Sequence, residues 1–317
     1  MLPRAIAVSP SGDRVYLANP GVLGSLRSLR RRRGTVTVVD PYARTEVARI
    51  LVGRTPSGIA VDPDGERIYV ANFSSNDVSI VDVRVAAETS RVKVGKQPWA
   101  LACSGDRLYV ANAHTDTMSV VDTDAQRVLD TVRTGRRPTS LVASPSGDCV
   151  YVCNNADATV SAIDARTLGT VATIEVGRNP VDMALDPSGT RLYVANRRSQ
   201  SITVVDTTAL EAIQTVQLST LSNRPGVGLF GVAFADPVLP EPLAVGVSGD
   251  GARLLVAFWD AGTLAVLDAR GGSRVSETQL DDAKYGIGPI EIAADWPNRR
   301  LYVSCADHAL VTVRDEV

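Results

Sequence analysis

Two carboxylates break a row of small residues. Prolines recur along this chain, and the second residue after each reads Ala5, Gly58, Ala100, Ser140, Asp182, Ala244 and Glu291. A carboxylate taken out of water needs a cation, a donor or water beside it. Asp182 and Glu291 therefore serve either as an acid/base or ligand-gripping pair, or as structural anchors for ion pairs or water. His308, one of only two histidines, is a third catalytic candidate as a general base, against a plain surface-loop role. A second constellation is basic. Gly-basic-x-Pro recurs in four consecutive units and supplies Arg54, Lys96, Arg136 with its neighbour Arg137, and Arg178. These are expected to form an arc across from Glu241, Asp281 and Asp282, able to receive a carboxylate or phosphate of a small ligand or simply to form a solvated rim. Aromatic and ionisable residues gather near the end of the chain in Phe258, Trp259, Asp260 and Tyr285, and Trp99 adds an aromatic beside the arc. Such mixtures are typical of ligand pockets. With two histidines and neither HxxxH nor CxxC spacing, no metal site is expected. Without a phosphate-binding glycine loop or dinucleotide fingerprint, no cofactor is expected either.

The elements that position these residues are repeats. A tetrapeptide recurs as Tyr16 to Asn19, Tyr69 to Asn72, Tyr109 to Asn112, Tyr151 to Asn154 and Tyr193 to Asn196, then decays to Leu255 to Phe258 and Tyr302 to Cys305. Upstream of each copy stands Pro3, Pro56, Pro98, Pro138, Pro180, Pro242 or Pro289, with 42, 40 and 42 residues separating Pro56, Pro98, Pro138 and Pro180. That period matches a four-stranded propeller blade. Within the unit from Pro56 to Gly95, Ile59 and Val61 lie in strand a, ended by the turn cluster Asp62-Pro63-Asp64-Gly65. Arg67 to Ala71 is strand b, Val78 to Val81 strand c with Asp82 as its turn carboxylate, and Glu88 to Val94 strand d. No segment sustains helical periodicity. The sequence predicts an all-β single domain over residues 1–317, a seven-bladed β-propeller of four-stranded antiparallel blades. It begins on strand a of the first blade and ends on strand c of the last, so the last blade is expected to lack its outer strand.

The Tyr-Val-Ala-Asn strand, the Asp-Pro-x-Gly turn and the Val-x-Val-Val-Asp strand resemble the YVTN family of propeller repeats across nearly the whole chain. That resemblance implies the fold strongly and the function weakly, because similar proteins include surface-layer proteins, lactonase-like enzymes and propellers beside redox cofactors.

Because consecutive strands run in opposite directions, the d-to-a and b-to-c loops share one rim, here called the top. Three enlarged loops fall there: Pro20 to Gly34, Ser219 to Glu241 and Asp281 to Gly288. They are expected to make a contiguous wall near blades 6, 7 and 1, where function-bearing loops gather on a rigid scaffold. The first contains Arg27, Arg30, Arg31, Arg32 and Arg33, either a partner-docking element or a solvated loop.

The 317 residues are 44% apolar and 21% charged with a net charge of -2, which suits a folded globular chain and gives no global field for nucleic acid. No apolar run reaches the ~20 residues of a membrane helix. Repeat sequence starts almost at once, without a leader pattern, and the four cysteines lack a disulfide framework; both features point to the cytoplasm. Two functional readings follow. One is a cytoplasmic propeller that binds a small, anionic molecule or a protein segment at the channel top, with no nucleic-acid or membrane partner. The other is a cofactor-independent lyase, cyclase, isomerase or lactonase working at the same place.

Overall fold

A computed structural model describes residues 3–20, 33–218, 241–258, 262–280, 289–295, 298, 300–305 and 311–314. In blade 2, strands a (Pro56–Val61), b (Arg67–Asn72), c (Asp77–Asp82) and d (Ala87–Lys93) pair antiparallel in that order. The carboxylates named as turn formers act as such. Asp62 accepts the Arg67 N–H at 3.0 Å, closing the a-to-b turn in which Gly65 takes φ +76°. Asp82 accepts the N–H groups of Arg84 and Val85 at 2.8 and 3.2 Å, and Asp122, Asp164 and Asp206 repeat that arrangement.

Strand b explains why the units stack. Successive side chains of a strand point to opposite faces, so Ile68 and Val70 join the core shared with Tyr16 and Ala18 of blade 1, while Tyr69 and Ala71 join Leu108 and Val110 of blade 3. Both faces are apolar and a lone sheet would leave one in water. Neighbours on either side bury both. The innermost strand is a, the outermost d, and the sheets surround a central channel.

The expected count of seven blades is corrected to six. Blades 1 to 6 each have strands a to d, whereas Pro289–Asp295, Arg300–Cys305 and Val311–Arg314 form a three-stranded sheet among the described residues, without the outer strand that the last unit was expected to lack. Counting Tyr-Val-Ala-Asn copies counts strand b alone, and so takes the final three-stranded sheet for a seventh blade. This final sheet lies between blade 6 and blade 1. It shares one core with Leu255 and Ala257 of blade 6 and a smaller one in which Tyr302 meets Ile6, Val15 and Leu17 of blade 1. Polar contacts finish the seam: Asn298 donates to the Ser11 carbonyl at 3.3 Å, and the Arg300 guanidinium lies 4.0 Å above the Tyr42 ring.

Candidate functional site

The top rim of the regular blades is built by one repeated docking. The d-to-a segment runs Gly-x-x-Pro, and the glycine is required by a close approach: a Cβ on Gly53, Gly95, Gly135 or Gly177 would lie 2.3–2.6 Å from the Cγ of Asn72, Asn112, Asn154 or Asn196. The residue just before the proline takes a left-handed conformation in each case, with φ of 53° at Thr55, 54° at Gln97, 55° at Arg137 and 53° at Asn179. That twist turns its carbonyl toward the b-to-c loop, where it accepts the N–H of Phe73, Ala113, Asn155 or Arg197 at 3.0 Å. The strand-end asparagines do not serve the turn backbone. Their amides donate instead to strand-c hydroxyls, Asn72 to Ser79 at 2.8 Å and Asn154 to Ser161 at 2.9 Å.

On this rim lies a cleft of about 390 Å³ over blades 2 to 4. Its apolar wall is Phe73 and Trp99, whose rings meet edge to face at 5.6 Å with Ala113 beside them. The Arg4 guanidinium sits 5.7 Å from the Trp99 ring centroid and helps to hold that ring. Arg136 and Arg137 also line it, with Gln97, His114 and Asp116 completing the lining. Arg136 is neutralised by Asp157, which takes both its Nε–H and its backbone N–H. Arg137 has a fixed backbone, donating its N–H to Asp116 at 2.8 Å, and its guanidinium has no hydrogen-bond partner among the described residues.

The two channel carboxylates occupy equivalent positions and make equivalent bonds. Asp182 of blade 5 accepts the Val245 N–H of blade 6 at 3.0 Å and the Ser140 hydroxyl at 3.1 Å. Glu291 of the final sheet accepts the Ile6 N–H of blade 1 at 2.8 Å. Each thus caps an inner-strand N–H of the next sheet. Burial pushes the Asp182 carboxyl up to about 6, opposed by those donors. Burial and the charge of Asp182 together push Glu291 well above the ordinary range of a glutamate.

The remaining sequence candidates divide. Lys96 and Arg178 are exposed on the rim, and Arg54 donates to the Ser74 carbonyl at 3.1 Å. Phe258 is 3% exposed in the core between blades 5 and 6, because the residue ending strand b faces inward in every blade. Trp259, Asp260, Tyr285 and His308 lie outside the described residues, as do the long top segments apart from their ends. Phe73, Gln97, Ala113, His114 and Asp116 line the cleft and were not singled out as ligand contacts. The available signal was register, since Phe73 follows the strand-b asparagine where the other regular blades carry Ala113, Asn155 and Arg197.

Comparison with known proteins agrees with the architecture. A family described as YNCE-like beta-propeller matches residues 66–148, and one described as Lactonase, 7-bladed beta-propeller, matches residues 129–223. Among solved structures, a chain of Kuenenia stuttgartiensis hydrazine synthase is similar with a TM-score of 0.82 and 20% identity, covering 99% of this chain and 96% of that one. No curated protein matches in sequence. The chain is a β-propeller. Because 1748 solved chains match it, the fold selects no activity and function has to be argued from the site.

Proposed function

We propose that this propeller binds a small anionic molecule on its top face. The observation that carries the reading is the set of exposed cations on one rigid rim, Lys96, Arg137 and Arg178, whose side chains have no hydrogen-bond partner among the described residues. Three like charges held on docked backbone repel one another and gain by receiving an anion. A loop rim that served only as a connection would have no need of them. In this reading the protein works in a reducing cytoplasm. Burial raises the Cys103 thiol to about 12, which keeps it unreactive there.

The test is calorimetric titration of the purified protein with mono- and dicarboxylates, phosphate and sulfate, repeated on the triple variant Lys96→Gln/Arg137→Gln/Arg178→Gln. Binding of at least one anion, weakened tenfold or more by the triple variant, is expected. If no anion binds, the reading fails.

A second reading is catalysis of the lactonase, lyase or isomerase type. It is favoured by the lactonase match and by two buried channel carboxyls whose proton affinities are both raised, Asp182 to about 6 and Glu291 well above the ordinary glutamate range, with Glu291 as the acid. Lactone turnover abolished in Glu291→Gln with the fold intact would select it over binding alone.

A further inference from the structure

We infer that the cleft over blades 2 to 4 selects a planar aromatic monoanion, a bicyclic carboxylate or sulfonate. This deepens the anion-binding reading and rests on it. Three features of the cleft point there. Its volume of about 390 Å³ falls within the ~300–1,000 Å³ of small-molecule sites. The Phe73–Trp99 pair, with 78° between its ring planes, presents an apolar corner held in place before any ligand arrives, Trp99 being fixed by its contacts with Phe73 and Arg4.

The third feature is a count of charge. Two arginines line the cleft with the aromatic pair, but Asp157 already satisfies Arg136. Asp116, also in the lining, accepts the Arg137 backbone N–H and has no cation paired with it among the described residues. One unpaired guanidinium, Arg137, remains. A single cation beside a carboxylate matches one negative charge and disfavours a dianion or a polyphosphate, whose further charges would meet Asp116 without a counterpart. An acid group on Arg137 leaves the body of the ligand against Phe73, Trp99 and Ala113.

The test is titration with 2-naphthoate and with 8-anilinonaphthalene-1-sulfonate, followed by calorimetry and by energy transfer from tryptophan. Wild type, Arg137→Gln, Trp99→Leu, Trp99→Phe and Arg133→Gln are compared, the last removing a cation from outer strand d of blade 3. The expected result is binding weakened tenfold or more by Arg137→Gln and Trp99→Leu, within threefold of wild type in Trp99→Phe, and unchanged in Arg133→Gln. Acyclic monocarboxylates and pyrophosphate should bind at least tenfold more weakly than 2-naphthoate. If acyclic anions bind as tightly as 2-naphthoate and depend on Lys96 and Arg178, the inference is overturned and the anion-binding reading stands. Aromatic binding indifferent to both Arg137→Gln and Trp99→Leu also overturns it. If no anion of any kind binds, both fall together.

Discussion

Blades 2 to 5 and the sector where the final sheet meets blade 1 come from the same repeat but hold their neighbours differently. Between regular blades the chain passes directly from strand d to the next strand a through Gly-x-x-Pro, so the covalent link itself fixes the spacing. At the position lining the channel blades 2 to 4 carry Gly58, Ala100 and Ser140, which offer no carboxyl to accept an N–H of the next sheet. Between blade 5 and blade 6 the connection is long, and between the final sheet and blade 1 there is no direct connection. At those two boundaries a carboxyl reaches across, Asp182 to Val245 and Glu291 to Ile6. The two residues that stand in sequence as acid/base or anchor candidates also act as latches, each accepting an N–H of the next sheet where chain connectivity does not set the join. Cores differ as well. Tyr193 lies in a large shared core between blades 5 and 6, whereas Tyr302 closes the ring against Ile6, Val15 and Leu17.

Removing a tyrosine from each kind of core tests this contrast most severely. Tyr193→Ala should lower the unfolding free energy by about 3–5 kcal/mol in urea denaturation, in line with other buried aromatic truncations. Tyr302→Ala should instead open the seam, so that amide exchange speeds up in strand a of blade 1 and in the final sheet before it does elsewhere. Uniform acceleration in all blades would mean the seam is not a separate weak point.

The latches predict a pH signature. A carboxyl raised to about 6 in the fold, against 3.8 for the free group, binds its proton more tightly when folded. Its contribution to stability is full below about pH 4 and is lost as pH rises through about 6, a change on the order of 2–3 kcal/mol. Glu291 acts in the same direction. Asp182→Asn, which mimics the neutral acid, should therefore flatten the stability profile between pH 4 and 7 and match or exceed wild type at pH 8. An Asp182→Asn profile as steep as wild type would show that the carboxyl does not set this dependence.

The smallest effect sharpens the regular side of the comparison. Gly135→Ala places a methyl against Asn154 and should cost about 1–3 kcal/mol, the usual range for overpacking. Gly105→Ala has open space around its Cβ and pays only for its φ of +57°, so its loss should be smaller in the same thermal melt.

Much of the fold was legible because each unit repeats its turn chemistry. Asp62 and Asp82 were assigned as turn carboxylates from position alone and act as such. The site was less legible. Trp99, Arg136 and Arg137 were picked out, but their partners Phe73, His114 and Asp116 come from b-to-c loops of blades 2 and 3, which are held on the rim by the left-handed residues Thr55 and Gln97. Phe258 was misplaced because composition marks an aromatic without saying which way its strand turns it.

The amino-acid sequence determined the strand, its two apolar faces and the turns between strands, since each depends on residues within a few positions of one another. Which cations remain unpaired and whether a buried acid meets a donor were decided only by tertiary structure. Each of these turns on a group supplied by a neighbouring sheet, and no local spacing records how near that group comes.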